Sequence, residues 1–195
     1  RNVTIKNIKI RGFNIGIFLY NSYGNSILSN DIEGGIYLLQ SDHNTISGNN
    51  LFHSGLFVED SYRNTVSDNF VNHKPLVYLE GVSNYEVEDA GQVILINCKN
   101  ITVKCLDISN TWIGIKLWET NDSKILENKI AQNTWGIHLE GSNHNGISGN
   151  DIVDNGYIGL EFLYLFPIWH EGMLYFLPER YPYLQYSSGN SEDRI

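Results

Sequence analysis

The sequence predicts an all-β chain folded as a solenoid, a parallel β-helix whose short strands stack from one turn to the next. The first observation is a phrase of alternating apolar and polar residues that begins at Asn25, again at Asn44 and again at Asn64, at intervals of 19 and 20 residues. The second is that Asn, Gly and Ser separate these segments and that no helical period lies between them. Because a repeat this short cannot close its own core, each copy must stack on its neighbours.

The same register extends through most of the chain. Further copies of the first phrase begin at Asn2, Asn100, Ser123 and Asn145. A second phrase, Gly-apolar-x-apolar, follows each of them and begins at Gly16, Gly35, Gly55, Gly114, Gly136 and Gly159. Val77–Leu79 and Ile94–Ile96 stand at that place in the degenerate middle, where the register between Tyr85 and Asn100 stays open. We predict about eight rungs, each with at least two short strands paired with the next rung.

The repeat also predicts which side chains point inward. Stacking at about 4.8 Å places like aliphatic residues above one another, which gives columns that pair Ile27, Ile32, Ile36 and Leu38 with Ile46, Leu51, Leu56 and Val58. One equivalent corner of the rungs holds Asn30, Asn49, Asn69, Asn128 and Asn150. We predict a structural asparagine ladder there, in which each Asn adopts a left-handed turn and bonds backbone groups or the amide one rung away.

These phrases resemble the parallel β-helix repeats of the NosD-like and carbohydrate-binding-and-sugar-hydrolysis (CASH) families, over roughly residues 2–162. The resemblance implies a right-handed β-helix, a handedness that parallel connections also favour. It also implies an extracellular or cell-surface location, periplasmic in a Gram-negative bacterium, and for NosD a copper-related role. Because one architecture hosts many activities, the fold alone does not give the function.

The chain divides into repeats at residues 1–162 and a different segment at 163–195. That segment contains Pro167, Pro178 and Pro182 and many aromatic residues; prolines at this density should interrupt strand pairing. We expect a cap in which Phe166, Trp169, Tyr175 and Phe176 cover the last rung, followed by a disordered tail from Ser187, or else a docking surface for another domain or subunit. Since Arg1 starts almost inside a strand, we also expect a fragment of a longer exported chain, with end-to-end or flanking-domain contacts.

Composition excludes several classes of function. A net charge of −9 without a basic stripe argues against binding to nucleic acid, anionic membranes or acidic polysaccharides. No apolar run is long enough to cross a bilayer, and a chain of 195 residues with 42% hydrophobic content can bury one elongated core. Cys98 and Cys105 exclude a disulfide scaffold or a cysteine zinc site by number; they form either one disulfide or two buried free thiols.

Two rows of outward residues on the second strand of each rung are the candidate binding face. The first row is Phe18, Tyr37, Phe57, Tyr78, Leu95, Lys116, His138 and Glu161, and the second is Tyr20, Leu39, Glu59, Glu80, Asn97, Trp118, Glu140 and Leu163. Four successive aromatics would form a flat strip suited to sugar rings. We therefore predict that carbohydrate binds at Phe18, Tyr37, Phe57, Tyr78, Lys116 and Trp118; the alternative is that the stacked rings stabilise the sheet or are covered by a partner.

A catalytic alternative centres on Glu80, His138 and Glu140. Glu59 and Glu80 would lie one rung apart, close to the spacing of a retaining glycosidase, whereas Glu80 and Glu140 would be about three rungs apart. His138 with Glu140 could form an oriented base. The signature motifs of polygalacturonase-like, pectate lyase-like and mannuronan epimerase-like enzymes are absent from the sequence, and the short turns leave no walled cleft.

The sequence predicts no metal site and no cofactor. His43, His53, His73, His138, His144 and His170 fall at different rung positions, and Met173 is the only methionine, so no preformed copper site is expected. Three hypotheses follow. The leading one is a non-catalytic surface or secreted β-helix that binds carbohydrate or a surface protein. The others are an atypical hydrolase, lyase or epimerase, and a structural spacer, assembly module or NosD-like copper accessory protein.

Overall fold

The chain folds entirely into strands and turns over the residues that can be described. The computed structural model describes the backbone of residues 2–170 and 173–180 and the side chains of residues 2–163. Within these ranges there are 24 strands and no helix. The all-β prediction is therefore confirmed. No helix in this part of the chain is long and apolar enough to cross a membrane.

The first half of the chain contains the strands Thr4–Lys6 (β1), Lys9–Ile10 (β2), Ile17–Tyr20 (β3), Ser26–Leu28 (β4), Asp31–Glu33 (β5), Ile36–Leu39 (β6), Thr45–Ser47 (β7), Asn50–Phe52 (β8), Leu56–Glu59 (β9), Thr65–Ser67 (β10), Phe70–Val71 (β11) and Lys74–Glu80 (β12). The second half contains Ser83–Val87 (β13), Gln92–Ile96 (β14), Lys99–Lys104 (β15), Asp107–Ser109 (β16), Ile113–Trp118 (β17), Lys124–Leu126 (β18), Lys129–Ala131 (β19), Trp135–Glu140 (β20), Gly146–Ser148 (β21), Asp151–Val153 (β22), Ile158–His170 (β23) and Met173–Arg180 (β24).

Each strand pairs in parallel with its equivalent one rung later, as the repeat predicts. Ile5 is in register with Ile27, Ile27 with Ile46, and Ile46 with Val66. Ile27 and Ile46 are fully buried, so the aliphatic columns are present. Each rung begins with an equivalent short strand, and eight such strands occur from β1 to β21. Together they form about seven turns of the solenoid. The parallel β-helix is confirmed, with about seven turns against the eight rungs expected.

The asparagine ladder is also confirmed. The side-chain amide of Asn30 donates to Asn49 Oδ1 at 2.9 Å, and that of Asn49 donates to Asn69 Oδ1 at 2.9 Å. The same Asn49 oxygen accepts the backbone N–H of Asn30 at 3.0 Å. The left-handed conformation belongs instead to the residue before each ladder Asn, for example Ser29 at φ 53°. The ladder Asn is thereby free to point its amide inward, where buried amides must be paired.

The stacking is interrupted once, by a tight hairpin that the repeat does not predict. β11 and β12 pair antiparallel, with Val71 opposite Lys74. The two residues between them, Asn72 and His73, both have positive φ, at 49° and 70°, as in the two-residue turns that match strand twist. The hairpin reverses the chain and separates a first stack, β1–β11, from a second stack, β12–β23.

The two stacks meet on one sheet, formed by β12, β14 and β17. Val93 and Leu95 of β14 point into the core of the second stack, whereas Ile94 and Ile96 pack against the core of the first. All five residues of β14 and all six of β17 are buried. A strand covered on both faces reads as a continuous apolar run rather than an alternation, which explains the degenerate middle of the sequence.

This arrangement corrects the two predicted outer rows in the middle of the chain. Tyr78 is in register with Ile94, and Ile94 with Lys116, so Ile94 and not Leu95 belongs to the first row. Glu80 is in register with Ile96, and Ile96 with Trp118, so Ile96 and not Asn97 belongs to the second row. The prediction was wrong by one residue because the apolar run gives no period from which to read the register.

Side chains of the second stack cover the open edge of β9, which has no strand beyond it. The sheet β3-β6-β9 ends there. The side-chain amide of Gln92 accepts the N–H of Leu56 at 2.9 Å and donates to the Leu56 carbonyl at 2.9 Å. Lys116 Nζ donates to the Val58 carbonyl at 2.8 Å. Two side chains thus satisfy three backbone groups of β9 that a further strand would otherwise pair.

The C-terminal segment contains a ribbon of two paired strands. β23 continues without interruption across the expected boundary between residues 162 and 163, and it pairs antiparallel with β24. Pro167 and Pro178 lie within this paired ribbon, so the prediction that prolines end strand pairing here is wrong; an edge ribbon tolerates their missing N–H groups. The predicted aromatic contacts of the cap and the tail from Ser187 lie outside the described residues.

Both cysteines are free. Cys98 is buried, as the alternative of two buried free thiols predicts, whereas Cys105 is exposed at a turn with φ 56°. Its exposed position corrects the expectation of two buried thiols.

Candidate functional site

Three of the predicted binding residues form one row on the third sheet of the first stack. Phe18, Tyr37 and Phe57 are in register on β3, β6 and β9. The rings of Tyr37 and Phe57 are stacked, with centroids 4.2 Å apart, and Phe18 meets Tyr37 edge-on at 5.1 Å. Together with Tyr20 these residues make up what we call the aromatic face. The predicted row of adjacent aromatics is therefore present over three rungs.

The open part of the aromatic face is a pair of rings on β3. Phe18 is 53% exposed and Tyr20 is 58% exposed. Their rings lie nearly parallel, 11° apart in orientation, with centroids 6.3 Å apart. They sit on alternate positions of a short strand and so share its outer side. The result is a pair of parallel aromatic rings open to solvent at the first rung.

The inner part of the face is fixed by packing. Tyr37 and Phe57 are half-buried, and both rings contact Trp112 of the second stack edge-on, at 5.4 and 5.6 Å. The Tyr37 hydroxyl donates to Glu59 at 3.2 Å. Burial, together with the charge and hydrogen bond of Glu59, raises the pKa of Tyr37 to about 12. Tyr37 therefore keeps its proton and holds Glu59 beside the rings.

The fourth predicted aromatic, Tyr78, does not extend the strip. It lies on β12, which pairs with β11 and β14 and not with β9. Its ring packs against the core of the first stack, and its hydroxyl donates to Glu80 at 3.0 Å. Burial first, and then the nearby carboxylate of Glu80, raise the pKa of Tyr78 far above its usual range. For the same reason Glu59 and Glu80 are not on neighbouring rungs, and the predicted carboxylate pair is wrong.

Lys116 and Trp118 are buried and do not belong to an exposed face. Only 3% of Lys116 and 2% of Trp118 is accessible. The Trp118 ring lies 4.3 Å from that of Tyr62 in the first stack. The prediction that both side chains point to solvent is wrong, because the outer side of β17 is the surface on which the first stack packs.

The structure does bring His138 and Glu140 together, in an ionic cluster with Lys116 and Glu161. His138 Nδ1 lies 2.8 Å from Glu161 Oε2, and His138 Nε2 lies 3.7 Å from Glu140 Oε2. Lys116 Nζ is 3.6 Å from the same Glu140 oxygen. The sequence places Glu161 in the same row but does not pair it with His138. Only the register of β20 with β23 brings the two residues side by side.

Glu80 is not part of this cluster. It lies on the same sheet as Glu140, but Ile96 and Trp118 stand between them, so the predicted separation of three rungs is confirmed. Its carboxylate accepts the backbone N–H of Arg63 at 2.8 Å. The three proposed catalytic residues are therefore divided between two places.

The cluster is electrostatically balanced by its own members. Burial by itself would lower the pKa of His138, but hydrogen bonds to Glu140 and Glu161 raise it. Burial would raise the pKa of Glu140, but the hydrogen bond to His138 and the charge of Lys116 lower it. Burial lowers the pKa of Lys116 against the opposing effect of Glu140, Glu59 and Asp60. Both ring nitrogens of His138 thus face carboxylates of the cluster itself.

We expect the contribution of His138 to stability to decline as pH rises. Because its pKa is raised above the ordinary 6.5, the contribution is complete below pH 6.5 and is lost as pH rises through the folded-state value. The contribution of Glu140 is complete above its ordinary 4.5 and is lost as pH falls through its lowered value. The cluster should therefore stabilise the fold most between these two values.

Urea unfolding of the wild type and of His138→Gln, compared from about pH 5.5 to about pH 8.5, measures this effect. Lys116 is present in both proteins, so the difference between their free energies of unfolding reports the effect of the histidine. We expect the destabilisation by His138→Gln to shrink as pH rises. A difference that is constant with pH would contradict the assignment.

The described residues do not form a metal centre. Among them no group of three or more His, Cys, Asp or Glu side chains is placed to hold a metal ion. His53 and His73 follow the equivalent strands β8 and β11, where Leu51 is in register with Val71. They therefore occupy equivalent rung positions, and the prediction that all six histidines fall at different positions is wrong for this pair. Two exposed imidazoles without a further ligand do not make a preformed copper site.

Comparison with known proteins gives one family. A family model described as "Periplasmic copper-binding protein (NosD)" matches residues 1–163. A search of curated proteins finds no match. The matched segment ends at Leu163, where β23 begins its antiparallel pairing with β24. The match therefore corresponds to the two parallel stacks.

Proposed function

The chain belongs to the NosD family, described as periplasmic copper-binding proteins, and we propose that it is an exported, non-catalytic β-helix module that binds carbohydrate on its aromatic face. The observation that carries the proposal is the nearly parallel, exposed ring pair Phe18 and Tyr20. The apolar side of a sugar ring packs on such a surface, and neighbouring polar groups bond its hydroxyls.

A polar group is available beside the rings. Glu59 is held at the aromatic face by the Tyr37 hydroxyl, and a carboxylate oxygen can accept hydrogen bonds from sugar hydroxyls. The rigid backing of Tyr37 and Phe57 by Trp112 means that little ordering is required on binding. These features support a binding surface that is largely formed before its ligand arrives.

The proposal assigns no step to copper, since the described donors do not fit a metal centre. The enzymatic alternative has less support. His138 and Glu140 are tied into the ionic cluster with the buried Lys116, and Glu80 lies apart from them. A protein ligand on the same face is an outcome that the experiment below distinguishes.

A glycan array tests the proposal with wild type and Phe18→Ala/Tyr20→Ala. Both side chains are more than half exposed, so the variant should fold normally, whereas Tyr37→Ala/Phe57→Ala would also remove contacts to Trp112. We expect binding to at least one glycan class, weakened by about tenfold or more in the variant. Tyr85→Ala, which removes a 51% exposed ring from β13, is the matched control and should bind normally.

Wild type that binds no glycan, or a variant that binds as tightly as wild type, would refute the proposal. Retention of an exported protein partner by wild type without any glycan binding would favour the protein-binding alternative.

A further inference from the structure

A groove lies where the two stacks meet, next to the aromatic face but separate from it. Its volume is about 600 Å³, within the range of about 300 to 1,000 Å³ typical of small-molecule sites. One wall comes from the turns before β3, β6 and β9 and the other from Trp112 and Trp135 of the second stack. Neither stack alone contains the groove, because its two walls lie about 60 to 120 residues apart in sequence.

Aromatic side chains line both walls of the groove, and the tryptophan wall is held in place by its contacts. The backbone N–H of Trp112 donates to the Ser54 carbonyl at 2.8 Å, and the backbone N–H of Trp135 donates to the Trp112 carbonyl at 2.7 Å. The Trp135 ring also packs edge-on against Tyr157 at 5.5 Å. Phe13, on the opposite wall, is 63% exposed. Rings on both sides of a groove can receive the two faces of a flat, partly apolar ligand.

The polar groups in the groove suit hydroxyls better than charges. Asn14 and Thr134 are exposed at its lining and supply amide and hydroxyl groups. Glu33 also lines the groove, and its carboxylate accepts the backbone N–H of Gly12 at 3.1 Å. The lining contains this carboxylate and His53 but no Lys or Arg, in a chain of net charge −9. An anionic ligand would meet like charge here.

We infer that this groove binds a short, uncharged oligosaccharide, so that the ligand of the aromatic face is anchored between Phe13 and the two tryptophans. The inference rests on the proposed carbohydrate function and names its ligand class and its second binding region. Trp112 connects the two regions, because its ring contacts Tyr37 and Phe57 and also lines the groove. A chain of sugar units can therefore pass from the groove onto the aromatic face.

Calorimetry on the full chain tests the inference with defined neutral di- to tetrasaccharides of glucose, mannose, galactose and xylose, and with oligogalacturonates of equal length. We expect neutral oligosaccharides to bind and oligogalacturonates to bind at least about tenfold more weakly. Phe13→Ala should weaken neutral binding by about fivefold to tenfold without loss of stability, since the ring is mostly exposed. Trp135→Ala should have a larger effect.

Glu33→Gln provides a charge-specific readout. The amide oxygen can still accept the N–H of Gly12, so the turn is preserved. We expect this variant to narrow the preference for neutral over acidic oligosaccharides, and a purely structural role would not change that preference. Oligogalacturonates that bind wild type as tightly as neutral sugars would overturn the inference.

The variants separate failure of this inference from failure of the proposed function. If Phe18→Ala/Tyr20→Ala abolishes binding while Phe13→Ala and Trp135→Ala stay within about twofold of wild type, the groove inference fails and the carbohydrate function stands. If no oligosaccharide binds wild type, both fail.

Discussion

Replacing Lys116 with Met will lower the free energy of unfolding by about 3 to 5 kcal/mol, the loss typical of removing one partner from a buried ion pair. Lys116 is 3% exposed, donates to the Val58 carbonyl and faces Glu140. Met fills a similar volume but leaves that carbonyl without its donor and Glu140 without its cation. Urea unfolding monitored by circular dichroism measures the loss.

Lys124→Met is the matched control, because Lys124 is exposed on β18 of the same stack. It should change stability by less than about 0.5 kcal/mol. The role assigned to Lys116 would be wrong if the two variants unfolded at the same urea concentration.

Replacing Gln92 with Leu will have an effect of similar size, about 3 to 5 kcal/mol, because several buried backbone groups lose their partners at about 1 to 3 kcal/mol each. The Gln92 side chain is fully buried and bonds the N–H and carbonyl of Leu56 and the carbonyl of Ile113. Leu has the size of Gln and none of its hydrogen-bonding groups. In this variant the backbone N–H and carbonyl of Leu56 would face the apolar side chain of the new leucine without a hydrogen-bond partner.

Amide hydrogen exchange locates this effect. We expect the Leu56 N–H, which donates to Gln92, to lose protection in Gln92→Leu. The Ile36 N–H, which donates to the Gly55 carbonyl inside the same sheet, is the internal control and should lose less. Equal protection of the Leu56 N–H in wild type and Gln92→Leu would show that Gln92 is not the group that pairs with it.

Both predictions concern the junction on which the proposed binding regions depend. Trp112 reaches the aromatic face and lines the groove only because the second stack packs on β9. Variants that loosen the junction should therefore weaken carbohydrate binding through geometry, without touching Phe18 or Phe13. Binding measurements on Lys116→Met and Gln92→Leu should be made below their unfolding transitions for this reason.

The sequence by itself determined the repeating parts of the protein. The phrases at Asn25, Asn44 and Asn64 set the rung interval, the alternation of residues such as Ile27 and Ile46 set the buried side, and the recurrent Asn49 and Asn69 set the ladder. These features are local or one rung apart, and a side-chain period of two fixes which face is buried. The same logic correctly placed Phe18, Tyr37 and Phe57 in one row.

Only the tertiary structure decided how the two stacks meet. Lys116 bonds Val58 across 58 residues of sequence, and Gln92 bonds Leu56 across 36; no repeat interval connects these residues. Traces of the junction are present in the chain, in the Asn72–His73 turn and in the unbroken apolar run Val93–Ile96. They show that a strand is covered on both sides but not what covers it, because burial on the second face depends on contacts made after the hairpin reverses the chain. That is why Lys116 and Trp118, which the alternation places on an outer surface, lie in the interior.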